Sequence, residues 1–483
     1  MRNRKFLAVL AAMGLAFLAI AGGGGCGGSS HHGASNRDAF IDAVGDVVDD
    51  LQAIANSAVS NRKVITAIDD IVSQYVVLSN DAEAIRKKAI GWTLISGDIT
   101  TEDFNNPDDP YFDKAALVHV WDGNHITVEN GAVKTFQAKQ TDAQLTIISS
   151  DKHETKLTIT PTSTTGYWQA YSGVSAILNS LFKARFPSTL GTHNYLLFAF
   201  TYASANIEVT YDGEKLLDGT ISVSYPDKNA GDKVYMNNSH TTTYALTLYP
   251  QDNKDYTVGI DLTRETKSSG DNAVSNSTQL KLYRKGSDAS TKTLLDVNAG
   301  VDVTVPSGST QPSAASLTAL DLNIADRIRL AESSPLDLVS LMKLYVTGTS
   351  ATEEEVKSNV ADINTLLSNA GLSLYLNKSA NKAGDIRALA GKIGSGNKSY
   401  DHARFGIQFN GASEPEMVRD IANKEDLDQL KTLVSSVSKQ VQALAQLLTG
   451  TGLLGENEIV QIYSIALRFT ELMVYKSPLF VRE

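Results

Sequence analysis

Apolar positions change their period twice along the chain, and the changes divide it. Over 37–90, Phe40, Val44, Val47, Leu51 and Ile54 recur at three- and four-residue spacing, with Asp42, Asp46, Asp49 and Asp50 elsewhere on the wheel. That is the stripe of an amphipathic helix. A second stripe follows at Val64, Ile68, Ile71, Val72 and Tyr75. A third segment opens with Asn80 and Glu83 in capping-box spacing and closes with Arg86-Lys87-Lys88, which suits the helix dipole. Short amphipathic helices cannot bury their stripes alone, so these must dock elsewhere in the fold.

From 115 to 305 the period is two. Ala115–Trp121, His125–Glu129 and Val133–Ala138 are separated by Asp122-Gly123 and Asn130-Gly131, dipeptides that supply the positive φ of tight hairpins. Ala143–Ser149 and Glu154–Thr160 extend this to a predicted five-strand meander. One helical stretch interrupts, carrying Val174, Ile177, Leu178, Leu181 and Phe182. Strands then resume at Tyr195–Tyr202, Ile207–Tyr211, Gly219–Tyr225, Thr241–Tyr249, Tyr256–Arg264, Gln279–Arg284, Thr293–Asn298 and Val301–Val305, with Asp212-Gly213 and Asp218-Gly219 read as turns. Alternation such as Leu280-Lys281-Leu282-Tyr283 means one buried and one wet face, hence an antiparallel sheet. A sheet of about thirteen strands should curl or split rather than stay flat.

Beyond the Pro- and Ser-rich stretch Pro306–Ser313 the helical period returns, with Leu320, Ile324 and Ile328 as one stripe. A helix starting at Ser334-Pro335 carries Leu338, Leu341, Met342 and Tyr345. Thr352 with Glu355 forms a capping box ahead of Val356, Val360, Ile363 and Leu367, and Gly371 caps the end. Two short strand-like runs, Leu372–Leu376 and Arg404–Phe409, are candidates to pair across a glycine-rich segment. Last, Leu427, Leu430, Val434, Val437, Val441, Leu444 and Leu448 step by three and four, and after a turn at 450–455 Ile459, Tyr463, Ala466, Phe469 and Met473 return as an antiparallel helical hairpin. The N-terminal helices are its expected partners.

These patterns give an α+β fold class: a large curved antiparallel β-sheet with one inserted helix, plus N- and C-terminal helical regions including the hairpin. The expected division is 1–25 signal peptide, 26–36 flexible tether, 37–90 helical segment, 91–305 antiparallel β domain opening with an acidic loop, 306–316 linker, and 317–483 mostly helical domain.

The first residues carry a different pattern. Arg2, Arg4 and Lys5 precede Phe6–Ala21, sixteen small and apolar residues, which fits an export signal and falls short of the roughly 20 that a spanning helix needs. Gly22–Gly25 then leads to Cys26, the one cysteine in 483 residues. This arrangement resembles the bacterial lipoprotein class over about thirty residues, and the resemblance implies that Cys26 is lipidated and becomes the first residue of the mature chain. Within that class Gly27, rather than an aspartate, implies outer-membrane sorting. Ala19-Ile20-Ala21 offers a second cleavage site, which would release a soluble protein.

Composition narrows the chemistry. A single cysteine rules out an intramolecular disulfide framework, a thiolate zinc site and an iron–sulfur cluster. A charged fraction of 20% and 42% hydrophobic residues fit an ordinary globular chain. Loss of Arg2, Arg4 and Lys5 with the leader takes the net charge from -11 to -14. With no basic patch interleaved with aromatics, nucleic acid is not an expected partner. An anionic body gains nothing from anionic lipid, which leaves membrane attachment to the acyl anchor.

Catalytic and metal motifs are missing at recognisable spacing. His153-Glu154 opens like a zinc-protease helix, but Leu157 stands where the second histidine belongs, and the segment reads as a strand. There is no G-x-S-x-G elbow and no Walker loop. No cofactor, metal site or enzymatic activity is expected. Eleven of the 18 tyrosines fall within 115–305, where they favour strands in any case. The candidate ligand-contact aromatics are Trp121, Tyr167, Trp168 and Tyr171, the last three in the densest cluster, just before the inserted helix. The expected function is a lipid-anchored cell-envelope protein with a non-enzymatic binding or assembly role, its partner an envelope protein or an apolar ligand. The alternative is a periplasmic carrier of lipid or another apolar ligand in a half-barrel sheet.

Overall fold

The computed structural model describes residues 34–54, 125–416 with short gaps and one longer gap at 171–197, and Ile421. Within these the chain is a large, mixed, mostly antiparallel open β-sheet with few helices. It divides into two units, one of residues 1–58 and 252–438, the other of 59–251 and 439–483.

The second unit holds β1 (His125–Glu129), β2 (Ala132–Gln137), β3 (Ala143–Ile148), β4 (Glu154–Pro161), β7 (Ser204–Tyr211), β8 (Glu214–Ser224) and β10 (His240–Leu248) in the order β2-β1-β3-β4-β7-β8-β10. Beside this lie β5 (Gly166–Ala170), β6 (Phe198–Tyr202) and β9 (Lys233–Val234), in the order β6-β5-β9. The period of two holds: Val128, Leu145, Leu157, Ile207 and Tyr244 lie among the buried core residues. Asp212-Gly213 forms a two-residue turn that closes Tyr211 on Glu214, and Glu129 pairs with Ala132.

Two expectations for this unit are corrected. The first strands are not a simple meander, because β3 pairs in parallel with β1 on the edge away from β2. The position between them suits β1, whose Val128 is fully buried. Asp218-Gly219 is no turn either, because Gly219 sits inside β8, paired with Ile207 on one side and Leu246 on the other. It is glycine because a Cβ there would stand 2.2 Å from the Ala245 carbonyl oxygen.

The first unit holds β11 (Tyr256–Ser268), β12 (Ala273–Gly286), β13 (Thr291–Thr304), β14 (Ala314–Ile324), β15 (Ile328–Ala331), β17 (Ser373–Leu376), β18 (Lys382–Ile393) and β19 (Tyr400–Phe409) in the order β19-β18-β17-β15-β14-β13-β12-β11, with β16 (Leu336–Asp337) pairing beside β14. Its helices are α1 (Ala34–Ile54), α2 (Leu338–Val346) and α3 (Glu353–Ala370). The helical reading of Leu320, Ile324 and Ile328 is corrected: these residues lie in β14 and β15. β13 and β14 pair antiparallel from Thr304 and Ala314 onward, with Ser313 N donating to Thr304 O at 2.8 Å. The runs at 372–376 and 404–409 do not pair with each other; β18 lies between them and pairs with both β17 and β19.

The helices pack on one face of this sheet. Asp337 caps α2, its carboxylate accepting from Ser340 N at 3.0 Å and Ser340 Oγ at 2.6 Å. α3 ends at Gly371, with φ +62°, whose N–H reaches Leu367 O at 3.0 Å. Asn364 fixes α3 to β18: its Nδ2 donates to Ala388 O at 2.9 Å and its Oδ1 accepts from Ala388 N at 2.7 Å.

α1 docks on this unit through the stripe read from sequence, with Phe40, Val44 and Val47 buried against a core that includes Leu330, Leu374 and Phe409. Arg37 Nε meets Glu416 Oε2 at 3.1 Å, Arg327 meets Asp46 at 3.3 Å, and Lys292 pairs with Asp50. At 1.5 Å per residue Arg37 to Asp50 spans about 20 Å. The five strand spacings from β19 to β13 total about 24 Å, and the long side chains at either end supply the rest. The helix therefore crosses the strands from β19 towards β13. The expected C-terminal hairpin, the inserted helix, the other N-terminal helices and the acidic loop lie outside the described residues.

Candidate binding surfaces

Of the residues singled out in the sequence, Cys26, Trp121 and Tyr171 lie outside the described residues. Trp168 has a backbone place in β5, opposite Phe200 of β6 and Lys233 of β9. Tyr167, its neighbour, is half-buried and packs against Val223, Tyr225 and Val234. Its ring lies 4.8 Å from that of Tyr225, edge-on at 60°, and Tyr225 lies 5.2 Å from the His240 ring. Tyr225 and His240 are both buried. His240 Nδ1 is 2.8 Å from Asn238 O, and a carbonyl only accepts, so the proton of that bond is on Nδ1. This geometry makes Tyr167 the outer member of a packed column that joins the small sheet to β8 and β10, an edge-to-face arrangement that stabilises by packing.

The polar groups of this unit tie strands together. Lys215 Nζ sits 2.8 Å from Glu208 and 2.9 Å from Asp218, and Tyr249 Oη donates to Asp218 at 3.0 Å. The bonds to Glu208 and then Asp218 push the Lys215 ammonium above its ordinary pKa. Glu129, held by Lys134 and by Lys152 at 2.6 Å, has its carboxyl pulled down to about 2, chiefly by the Lys134 hydrogen bond. His153 Nδ1 meets Asp212 at 2.7 Å, but the nearby Ser149 Oγ donates to Asp151 at 2.6 Å and accepts from the His153 backbone N–H at 3.1 Å. That serine closes a turn and makes no bond to the imidazole, so the group lacks a nucleophile–base pair. Glu154 begins β4, as the sequence suggested. Among the described residues no three His, Cys, Asp or Glu side chains are placed to hold a metal ion, and no described helix is long and apolar enough to cross a membrane.

Two features of the first unit escaped the sequence reading. The first is an apolar extension of its core face. Ile324 pairs with Leu295, Leu295 with Leu282, and Leu282 with Ile260; alongside, Leu322 pairs with Val297, Val297 with Leu280, and Leu280 with Leu262. The ladders start buried at Ile324 and Leu322, and the packed cluster ends at Leu295 and Val297. Ile260, Leu262, Leu280 and Leu282 are only half-buried, and the principal packing of the described helices is on β14 to β19. Alternation in the sequence shows which face is apolar, but not where its cover stops.

The second is Glu332. It continues the buried alternation of Ile328 and Leu330, and its backbone N–H donates to Leu320 O at 3.0 Å. Its Oε2 is buried without a hydrogen-bond partner, and burial pushes the carboxyl up to about 7. The signal was the two-residue spacing from Ile328 onward.

Comparison with protein-family models, with curated proteins and with solved structures finds no match to this chain.

Proposed function

We propose that this chain is a lipid-anchored protein of the cell envelope, held on the periplasmic or outer surface of a membrane, with the outer membrane favoured, and that it works by binding or assembly without catalysis. The observation that carries the anchor is the Arg2–Lys5 cluster, the sixteen-residue apolar run and the one cysteine that follows it. A partner-binding role draws its support from the half-buried row Ile260, Leu262, Leu280 and Leu282. The row is a two-strand-wide strip of sheet, a shape suited to the apolar side of another envelope protein more than to an acyl chain, which needs enclosure. The inserted helix at 174–182 and the C-terminal helical hairpin stay part of this proposal.

The test is Cys26→Ser in cells, followed by membrane fractionation. Release of the variant into the soluble fraction is the expected result, and a variant that stays membrane-bound refutes the anchor. Leu262→Asp with Leu280→Asp then tests the role: loss of co-purifying protein with the fold retained supports it. An acyl chain found by native mass spectrometry favours the carrier instead.

A further inference from the structure

We infer that the corner of the first unit formed by the start of α1 and the Asn410–Glu416 loop is the part of that unit held against the lipid headgroups. The inference rests on the Cys26 anchor and adds to it which surface the anchor presents. Ala34, the first residue of α1, stands eight residues after Cys26. Eight residues reach at most about 29 Å when fully extended.

A tether that short gives orientation only if the element it joins is fixed, and α1 is fixed early. Arg37 is ion-paired to Glu416 at 3.1 Å, and the buried ring of Phe40 lies 5.9 Å from that of Phe409. From there the helix runs inward, reaching Arg327 at Asp46 and Lys292 at Asp50. The tether therefore leaves from the β19 edge.

The surface at this corner is small and polar. Asn410, Gly411, Ser413 and Glu414 are exposed, and so is the adjoining turn from Asn377 to Lys382. The turn and the loop are joined by Asn410, whose N–H donates to Ala383 O at 2.9 Å and whose Nδ2 donates to Lys382 O. The cations at the corner have carboxylate partners within the protein: Arg37 with Glu416, Lys378 with Asp326 at 2.9 Å, and Lys382 with Asp385 at 3.1 Å. Such a surface tolerates the wet headgroup layer without inserting into it or selecting anionic lipid. Tether length sets proximity, and charge contributes little.

The experiment uses the full lipidated chain on phosphatidylcholine vesicles containing headgroup spin-labelled lipid. The lipidated sulfur of Cys26 is blocked, so a single added cysteine can carry a fluorophore. Ser413→Cys and Asn381→Cys report the corner, and Ser313→Cys, in the connection at the opposite end of β14, reports the far end. Quenching at least about twofold greater at 413 and 381 than at 313 is expected, unchanged when anionic lipid is added, and lost when twenty Gly/Ser residues are inserted after Gly28. Flotation with the vesicles reads the anchor separately. A protein that floats with position 313 quenched as strongly as 413 overturns the corner alone, and one that does not float overturns the anchor and the corner together.

Discussion

Phe40 of α1 and Phe409 of β19 hold their ring centroids 5.9 Å apart at 59°, both rings buried. This contact joins the first described helix to the last strand of the same unit. Phe40→Ala removes a large side chain from a packed site, and a loss of about 3 kcal/mol is expected. Urea unfolding followed by circular dichroism measures it; an unchanged midpoint would mean that α1 contributes nothing to this unit.

Asn364 serves both backbone groups of Ala388 from the side of α3. Asn364→Leu keeps helix propensity and leaves a backbone N–H and C=O of a buried residue without those partners, at a cost of about 2–4 kcal/mol. Asn364→Asp restores only the acceptor and should recover part of that loss. Equal stability of the two variants would show that the bond from Ala388 N to the side-chain oxygen carries little.

Glu332 makes stability fall as pH rises. Its carboxyl, ordinarily near 4.5, is pushed up to about 7 in the folded protein by burial, so the folded state holds a proton that the unfolded state has released. The penalty is absent below about 4.5, grows between 4.5 and 7, and is complete above 7, reaching about 1–3 kcal/mol. Glu332→Gln should therefore be more stable than the native chain at pH 8 and about equal to it at pH 4. Thermal midpoints at the two pH values decide this, and a parallel shift at both would remove the carboxyl from the account.

Two glycines should respond in opposite directions to alanine. Gly45 lies within α1, and a Cβ at that position would have nothing within 4 Å. Gly45→Ala should therefore stabilise by about 0.5–1 kcal/mol through helix propensity. Gly219 has φ +158°, and a Cβ there would meet the Ala245 carbonyl oxygen at 2.2 Å and Leu246 Cα at 2.8 Å. Backbone atoms cannot step aside as a side chain would, and Gly219→Ala should cost roughly 3 kcal/mol or more. Denaturation of the two variants side by side would expose any error of sign.

Much of this fold can be read from local pattern. The period of two finds β1 to its end residues, because each of its faces meets a different environment. The apolar stripe and terminal Gly371 find α3, because caps are local chemistry. β14 escapes that logic for two reasons. A spacing of four at Leu320, Ile324 and Ile328 satisfies a helix and a strand alike, and the register shift in the β13–β14 pairing, opposite Leu317 and Ala319, interrupts the alternation that would have separated them. β18 is hidden by Ala383, Gly384 and Ala388, small residues where α3 and β19 approach closely. The candidate surface was less legible than the fold. Leu262 and Leu280 look like core residues in the sequence, because the sequence does not reveal the width of the cover above them.

The crossing of α1 over β19 to β13 also sets an order of events. The helix is made before any of the strands it packs on, and its ring partner Phe409 follows roughly 370 residues later, a delay of about 20–75 s at ordinary rates of synthesis. During that interval Phe40, Val44 and Val47 form an apolar stripe without its sheet. The first described helix is thus the one that waits longest for its partners. That stripe stays uncovered until the strands that α1 will clasp have been made.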